Sequence, residues 1–194
     1  MNLTPEIFYE IEIKAVMNKD KYEELDRLLK SDSRFKMINK ESINTEFYKA
    51  DNDKIDVRLR YSDKSMEIVC KKGLVTKNVR KEIKIPLPTI EHINHFRQIF
   101  DLLPVVSNPQ TLKHKQEFLY NYGGYDYIIC LQHIENFAYL LEVEFLSKTD
   151  NSAIHEKNLL DILKEFGLDV IDNEKFLIRV EDYKAGKVTI NYPV

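Results

Sequence analysis

The sequence predicts an α+β protein in which an antiparallel sheet, closed or nearly closed into a tunnel, carries amphipathic helices on its outside. Two observations lead there. Much of the chain alternates apolar and polar residues with the period of two that marks strands, and on several of these strands the polar face is charged at every second position. Three other segments repeat apolar residues at helical spacing and need an apolar surface to cover.

Taken in order, alternation predicts strands at about residues 6–17, 43–50, 54–61, 64–71, 79–85, 111–121, 124–134, 138–147 and 176–190. Asp51-Asn52-Asp53, Ser62-Asp63 and Gly123-Gly124 are turn sequences between them, so successive antiparallel hairpins in a meander are expected. The first helix lies in NKDKYEELDRLLKSDSRF, where Tyr22, Leu25, Leu28 and Leu29 gather on one side behind an Asn18 cap. The second runs from Thr89 to Leu102 through Ile93, Phe96, Ile99 and Phe100, and the third from Ser152 to Phe166 through Leu159, Leu160, Ile162 and Leu163. LPVVSNPQ, residues 103–110, reads as a turn between two halves rather than a linker, and residues 1–194 are expected to form a single domain.

Composition narrows the function. With 43% apolar and 31% charged residues the chain suits a soluble globular protein, and a formal charge of −3 with interspersed signs predicts no nucleic-acid partner. The first fifteen residues lack a basic and an apolar leader region, and no run of 18 apolar residues occurs, so a cytoplasmic protein without membrane association is expected. Cys70 and Cys130 sit in apolar runs and read as buried small residues. His92, His95, His114, His133 and His155 form no recognisable nucleophile or metal pattern, His92 and His95 reading as surface residues. The sequence leaves a homodimer open.

The charged faces are the informative feature. Glu10, Glu12 and Lys14 alternate with Ile11, Ile13 and Ala15; Arg58 and Arg60 alternate with Val57 and Leu59; Glu142 and Glu144 with Leu141, Val143 and Phe145. RKEIKI adds Arg80, Glu82 and Lys84, and TLKHKQ adds Lys113 and Lys115. A solvated outer face explains any one such strand. If the apolar faces of all five pack against the helices, however, the charged faces turn toward one another. Burying them dry would be prohibitive, so the interior is expected to be wet and to hold a polar ligand. Bases suit phosphate oxygens and paired carboxylates suit Mg²⁺ or Mn²⁺, and a polyphosphate with its metal satisfies both.

Glu10-Ile11-Glu12-Ile13-Lys14 resembles the ExExK signature of the CYTH family, the triphosphate tunnel metalloenzymes, which includes class IV adenylyl cyclases, thiamine triphosphatases and tripolyphosphatases. TEFYKAD, VRLR, CKK, RKEIKI, KHK and EVE follow in the family's order, so the resemblance spans about residues 8–183. It implies an eight-stranded antiparallel tunnel that binds a small-molecule linear triphosphate. Glu10 with Glu12, and Glu142 with Glu144, match the metal-binding carboxylate pairs for Mg²⁺ or Mn²⁺. Lys14, Arg58, Arg60, Lys71 and Lys115 match phosphate-contacting bases, and Arg80 and Lys113 join them as candidates on the same charged faces. Glu82 resembles a supporting glutamate, and Lys175 a C-terminal lysine that reaches back to the phosphates.

The match departs from the family at Gln132, where an aspartate is usual, at Lys115, where an arginine is usual, and at ENFAY, which replaces a glycine-containing turn. The implied activity is metal-dependent hydrolysis of inorganic tripolyphosphate, thiamine triphosphate or a nucleoside triphosphate. Class IV adenylyl cyclisation and triphosphate binding without turnover are the alternatives. Lys14 is a candidate for activating the nucleophile, opposed by its neighbouring glutamates. Tyr48, Tyr61, Tyr120, Tyr122, Tyr125, Tyr127 and Tyr139 either stack a ring at the tunnel mouth or pack the sheet.

Overall fold

Glu10 and Glu12 are buried, both 5% exposed, and so are their neighbours Ile11 and Ile13, at 0% and 2%. A strand buried on both faces needs a packed layer on one side and an enclosed interior on the other. The computed structural model, which describes residues 6–49, 55–73, 78–148 and 152–187, supplies both. Its elements are β1 (Glu6–Met17), α1 (Lys19–Ser31), β2 (Phe35–Lys49), β3 (Ile55–Tyr61), β4 (Met66–Lys72), β5 (Val79–Pro86), α2 (Ile90–Asp101), β6 (Val106–Tyr122), β7 (Tyr125–Ile134), β8 (Ala138–Ser147), α3 (Ser152–Glu165) and α4 (Asn173–Lys184).

The eight strands close into a ring in the order β1-β5-β4-β3-β2-β6-β7-β8, every neighbouring pair antiparallel. Two meanders, β2 to β5 and β6 to β8, are joined where β2 meets β6, and β1 closes the ring between β5 and β8. Closure removes the unpaired edges that a flat sheet of this size would expose.

The outward faces form the cores. Ile11, Ile13, Ala15, Ile129, Leu131, Leu141 and Val143 pack against Leu25 and Leu29 of α1 and Leu159, Ile162 and Leu163 of α3. The Asn18 side chain caps α1 by accepting the Lys21 N–H at 2.9 Å. A second core packs Ile93 and Phe100 of α2 on Leu59 and Tyr48. Leu25→Ala should cost about 2–5 kcal/mol, since the cavity it leaves lies between rigid layers; urea unfolding followed by circular dichroism measures this, and an unchanged midpoint would place Leu25 outside the core.

Three segments differ from the sequence reading. β2 begins at Phe35 rather than near 43, because its alternation is broken where Met37 and Ile38 adjoin, at a register shift in its pairing with β6. β6 begins at Val106, so most of 103–110, expected to be a turn, is strand. The expected ninth strand, 176–190, is a helix through Lys184, and residues 188–190 lie outside those described: α4 is capped by Asp172, whose side chain accepts the Lys175 N–H at 2.9 Å. Phe176, Val180 and Tyr183 lie on one helical face and pack with Phe137 and Leu140.

Candidate functional site

The register brings the charged faces together inside the ring. Lys14 lies opposite Glu142, Glu12 opposite Glu144 and Glu10 opposite Arg80, while Lys71 lies between Asp56 and Glu82. Lys14 Nζ stands 2.7 Å from Glu12 Oε1 and 3.0 Å from Glu142 Oε1. Lys71 donates to Glu10 and stands 2.7 Å from Glu82, and Arg80 Nη2 donates to Glu12 Oε1 at 2.6 Å. Gln132 Nε2 donates to the other oxygen of Glu142.

Three of the four carboxylates proposed from the sequence converge: one oxygen from each of Glu10, Glu12 and Glu144 can be chosen so that all lie within 4.8 Å of one another. An all-oxygen, all-carboxylate set fits a hard divalent ion such as Mg²⁺ or Mn²⁺ rather than a soft one. Burial and the charges of Glu10, Glu12 and Glu142 raise the Glu144 pKa to about 8. Burial also opposes ionisation of Glu142, but Lys14 and Lys113 outweigh it and hold its pKa at about 2.

Beside this cluster lies a cavity of about 190 Å³, below the roughly 300–1,000 Å³ of drug-sized ligand sites. Lys14, Arg58, Arg60, Arg80, Lys113 and Glu142 line its polar side, and Phe137, Leu140, Phe176, Val180 and Tyr183 its apolar side, so α4 covers this end of the tunnel. Two nitrogens of Arg80, Nε and Nη1, are buried without a hydrogen bond, a costly state for a guanidinium. Gly73 makes room for that guanidinium: its φ is +131°, and a Cβ there would stand 3.2 Å from Arg80 Cγ.

The bases differ in readiness. Arg58 is paired with Asp56 at 2.9 Å and Arg60 with Glu67 at 3.3 Å. Burial works against the charge of Lys14, but Glu12 and Glu142 hold its pKa above the usual lysine range. Lys113 has neither hydrogen bond nor ion pair among the described residues; burial, with Arg58 and Arg60 nearby, lowers its pKa to about 8.

Two other expected bases lie apart from the cavity. Lys115 is held by Glu117 at 2.9 Å and Glu41 at 3.4 Å and borders a separate cleft with Glu41 and Ser62, and Lys175 is exposed on the first turn of α4. The buried base on α4 is Arg179, 6% exposed, which the strand reading of this segment did not single out. Of the tyrosines, Tyr48, Tyr120 and Tyr127 belong to the outer cores, while Tyr183, which reaches the cavity, lay in the misread segment. His92 and His95 are exposed on α2, and no described helix is long and apolar enough to cross a membrane.

No family model and no curated protein matches the chain. Solved structures do. A Pyrococcus horikoshii protein is 18% identical with a TM-score of 0.64, covering 84% of this chain and 94% of its own. A Bacillus halodurans protein described as a putative adenylate cyclase is 18% identical with a TM-score of 0.60, covering 90% and 97%. A Hippeastrum protein described as a putative adenylyl cyclase with a dominant triphosphatase activity is 16% identical with a TM-score of 0.56, covering 93% and 96%. Likeness at these identities is likeness of fold, and the fold is the eight-stranded antiparallel tunnel that the sequence resemblance implied.

Proposed function

We propose that residues 1–194 form one domain that hydrolyses a linear triphosphate with the help of Mg²⁺ or Mn²⁺. The observation that carries this reading is the gathering of Arg58, Arg60, Arg80, Lys14 and Lys113 around one cavity beside three convergent carboxylates, with two nitrogens of the Arg80 guanidinium buried and unsatisfied.

Glu10, Glu12 and Glu144 would hold the divalent ion, which when bound neutralises charge on non-bridging phosphate oxygens. Arg80 keeps N–H groups on Nε and Nη1 without a partner in the chain, donors of the kind that phosphate oxygens accept, and Lys14, kept charged, adds a point-like donor. Phosphoryl transfer demands little beyond this positioning and charge neutralisation. A water attacking the terminal phosphorus in line must lose a proton as the P–O bond to the leaving diphosphate breaks. Lys113 is the lining lysine able to take it, because near pH 8 about half of its population is neutral. Lys113→Arg should therefore lower kcat by about 10²–10⁴ with a smaller change in KM; equal turnover in the variant would remove Lys113 from the proton transfer.

Adenylyl cyclisation is the second reading, favoured by the rings of Phe47, Phe137 and Tyr183 along the cavity wall, which suit a base. The deciding assay incubates the protein and Mg²⁺ or Mn²⁺ with tripolyphosphate, thiamine triphosphate or ATP and separates the products by chromatography. Phosphate release supports hydrolysis and names the substrate, cyclic AMP with pyrophosphate supports the cyclase, and binding without product leaves a triphosphate-binding module.

A further inference from the structure

We infer that the tunnel takes one divalent cation, on Glu10, Glu12 and Glu144, and that Glu142 serves as the anchor of Lys14, with Gln132 as the residue that closes off a second metal position. The inference rests on the metal-dependent reading above and fixes its stoichiometry. Its basis is which carboxylate oxygens are already engaged. Both oxygens of Glu142 face donors, Lys14 Nζ at 3.0 Å from Oε1 and the Gln132 amide on Oε2. Both oxygens of Glu82 are ion-paired with lysines, Lys71 at 2.7 Å and Lys84 at 3.1 Å, though neither accepts a hydrogen bond. By contrast, Glu144 has neither ion pair nor hydrogen bond among the described residues, and Glu10 Oε1 and Glu12 Oε2 accept no hydrogen bond from them.

The chemistry at Gln132 explains the division. A second ion would need Glu142 and a further anionic oxygen beside it. Gln132 fills that place at 1% exposure with a neutral amide, and presents its N–H₂ to Glu142, so the carboxylate is hydrogen-bonded rather than left to a cation. Lys14 supplies the positive charge that a second ion would bring, and Glu142 and Glu12 hold its ammonium between them beside the cavity. Glu142 is thus a positioning residue for a phosphate-contacting lysine.

The test is titration of the protein with Mn²⁺, counting bound ions per chain from the loss of the free-ion electron paramagnetic resonance signal. The unsubstituted chain and Glu142→Gln should each bind one ion, Glu144→Gln none, and Gln132→Asp two. Tripolyphosphate should bind Glu142→Gln at least several-fold more weakly, because Lys14 loses its second anchor, whereas a metal ligand's loss would show in the ion count. Two ions on the unsubstituted chain, or loss of the ion in Glu142→Gln, would overturn the inference and leave the hydrolase reading standing. No bound ion at all would remove the metal from both. The counts on the unsubstituted chain and on Glu142→Gln decide the matter even if Gln132→Asp fails to fold.

Discussion

At pH 8 without added cation, Glu144→Gln is expected to melt at a higher temperature than the unsubstituted chain, and to lose the further rise that Mg²⁺ or Mn²⁺ gives. The reasoning starts from charge crowding. Burial and the carboxylates of Glu10, Glu12 and Glu142 raise the Glu144 pKa to about 8. The folded chain therefore holds a proton that the unfolded chain releases above a pH of about 4.5, so the group lowers stability progressively from about 4.5 up to about 8. A glutamine keeps the shape and removes that penalty. Even about 1 kcal/mol of relief moves the melting point of a chain this size by about 2–4 °C. Cation binding must displace the same proton, so below pH 8 the affinity of the unsubstituted chain should fall about tenfold per pH unit. Scanning calorimetry at pH 6 and 8, with and without Mn²⁺, reads both effects. A variant that melts lower without metal, or is still stabilised by it, would contradict this account of Glu144.

Arg80→Lys is expected to fold normally and to lose about 10²–10³ in kcat on a linear triphosphate, the scale of removing one preorganised donor to a developing charge. The guanidinium has donors to spare: Nη2 donates to Glu12 at 2.6 Å, while Nε and Nη1 remain buried without partners. An ammonium is a point-like donor and can keep the ion pair or reach the phosphate, but cannot do both from separate nitrogens. Keeping the positive charge avoids stranding Glu12 as an unpaired buried anion, which would cost several kcal/mol and confuse the result. Steady-state kinetics alongside circular dichroism settle it; unaltered kcat with native spectra would mean that Arg80 serves only to neutralise Glu12.

The inward-facing charges were legible because a closed ring imposes the same period of two on both faces of each strand. Glu10, Glu12 and Lys14 could be read as one face from spacing alone, and β1 shows why the pattern was unusual: its outer face is as buried as its inner one. Register was not legible. Nothing in the order of residues says that Glu12 lies opposite Glu144 while Glu142 lies opposite Lys14, and that offset separates a carboxylate in the convergent cluster from one that anchors a lysine. α4 was misread because Phe176, Ile178 and Val180 satisfy alternation, while Phe176, Val180 and Tyr183 satisfy the helical period equally well. The Asp172 cap decides between them. Lys175 was placed near the phosphates by the family resemblance, yet the helix turns it to solvent.

The placement of α4 also bears on what can be bound. Phe176, Val180 and Tyr183 line the cavity together with Lys14 and Lys113, so α4 lends the passage an apolar wall at that end. On the hydrolase reading, a ligand seated there meets charge on one flank and hydrocarbon on the other, so the fold sorts its guests by polarity along their length as well as by charge.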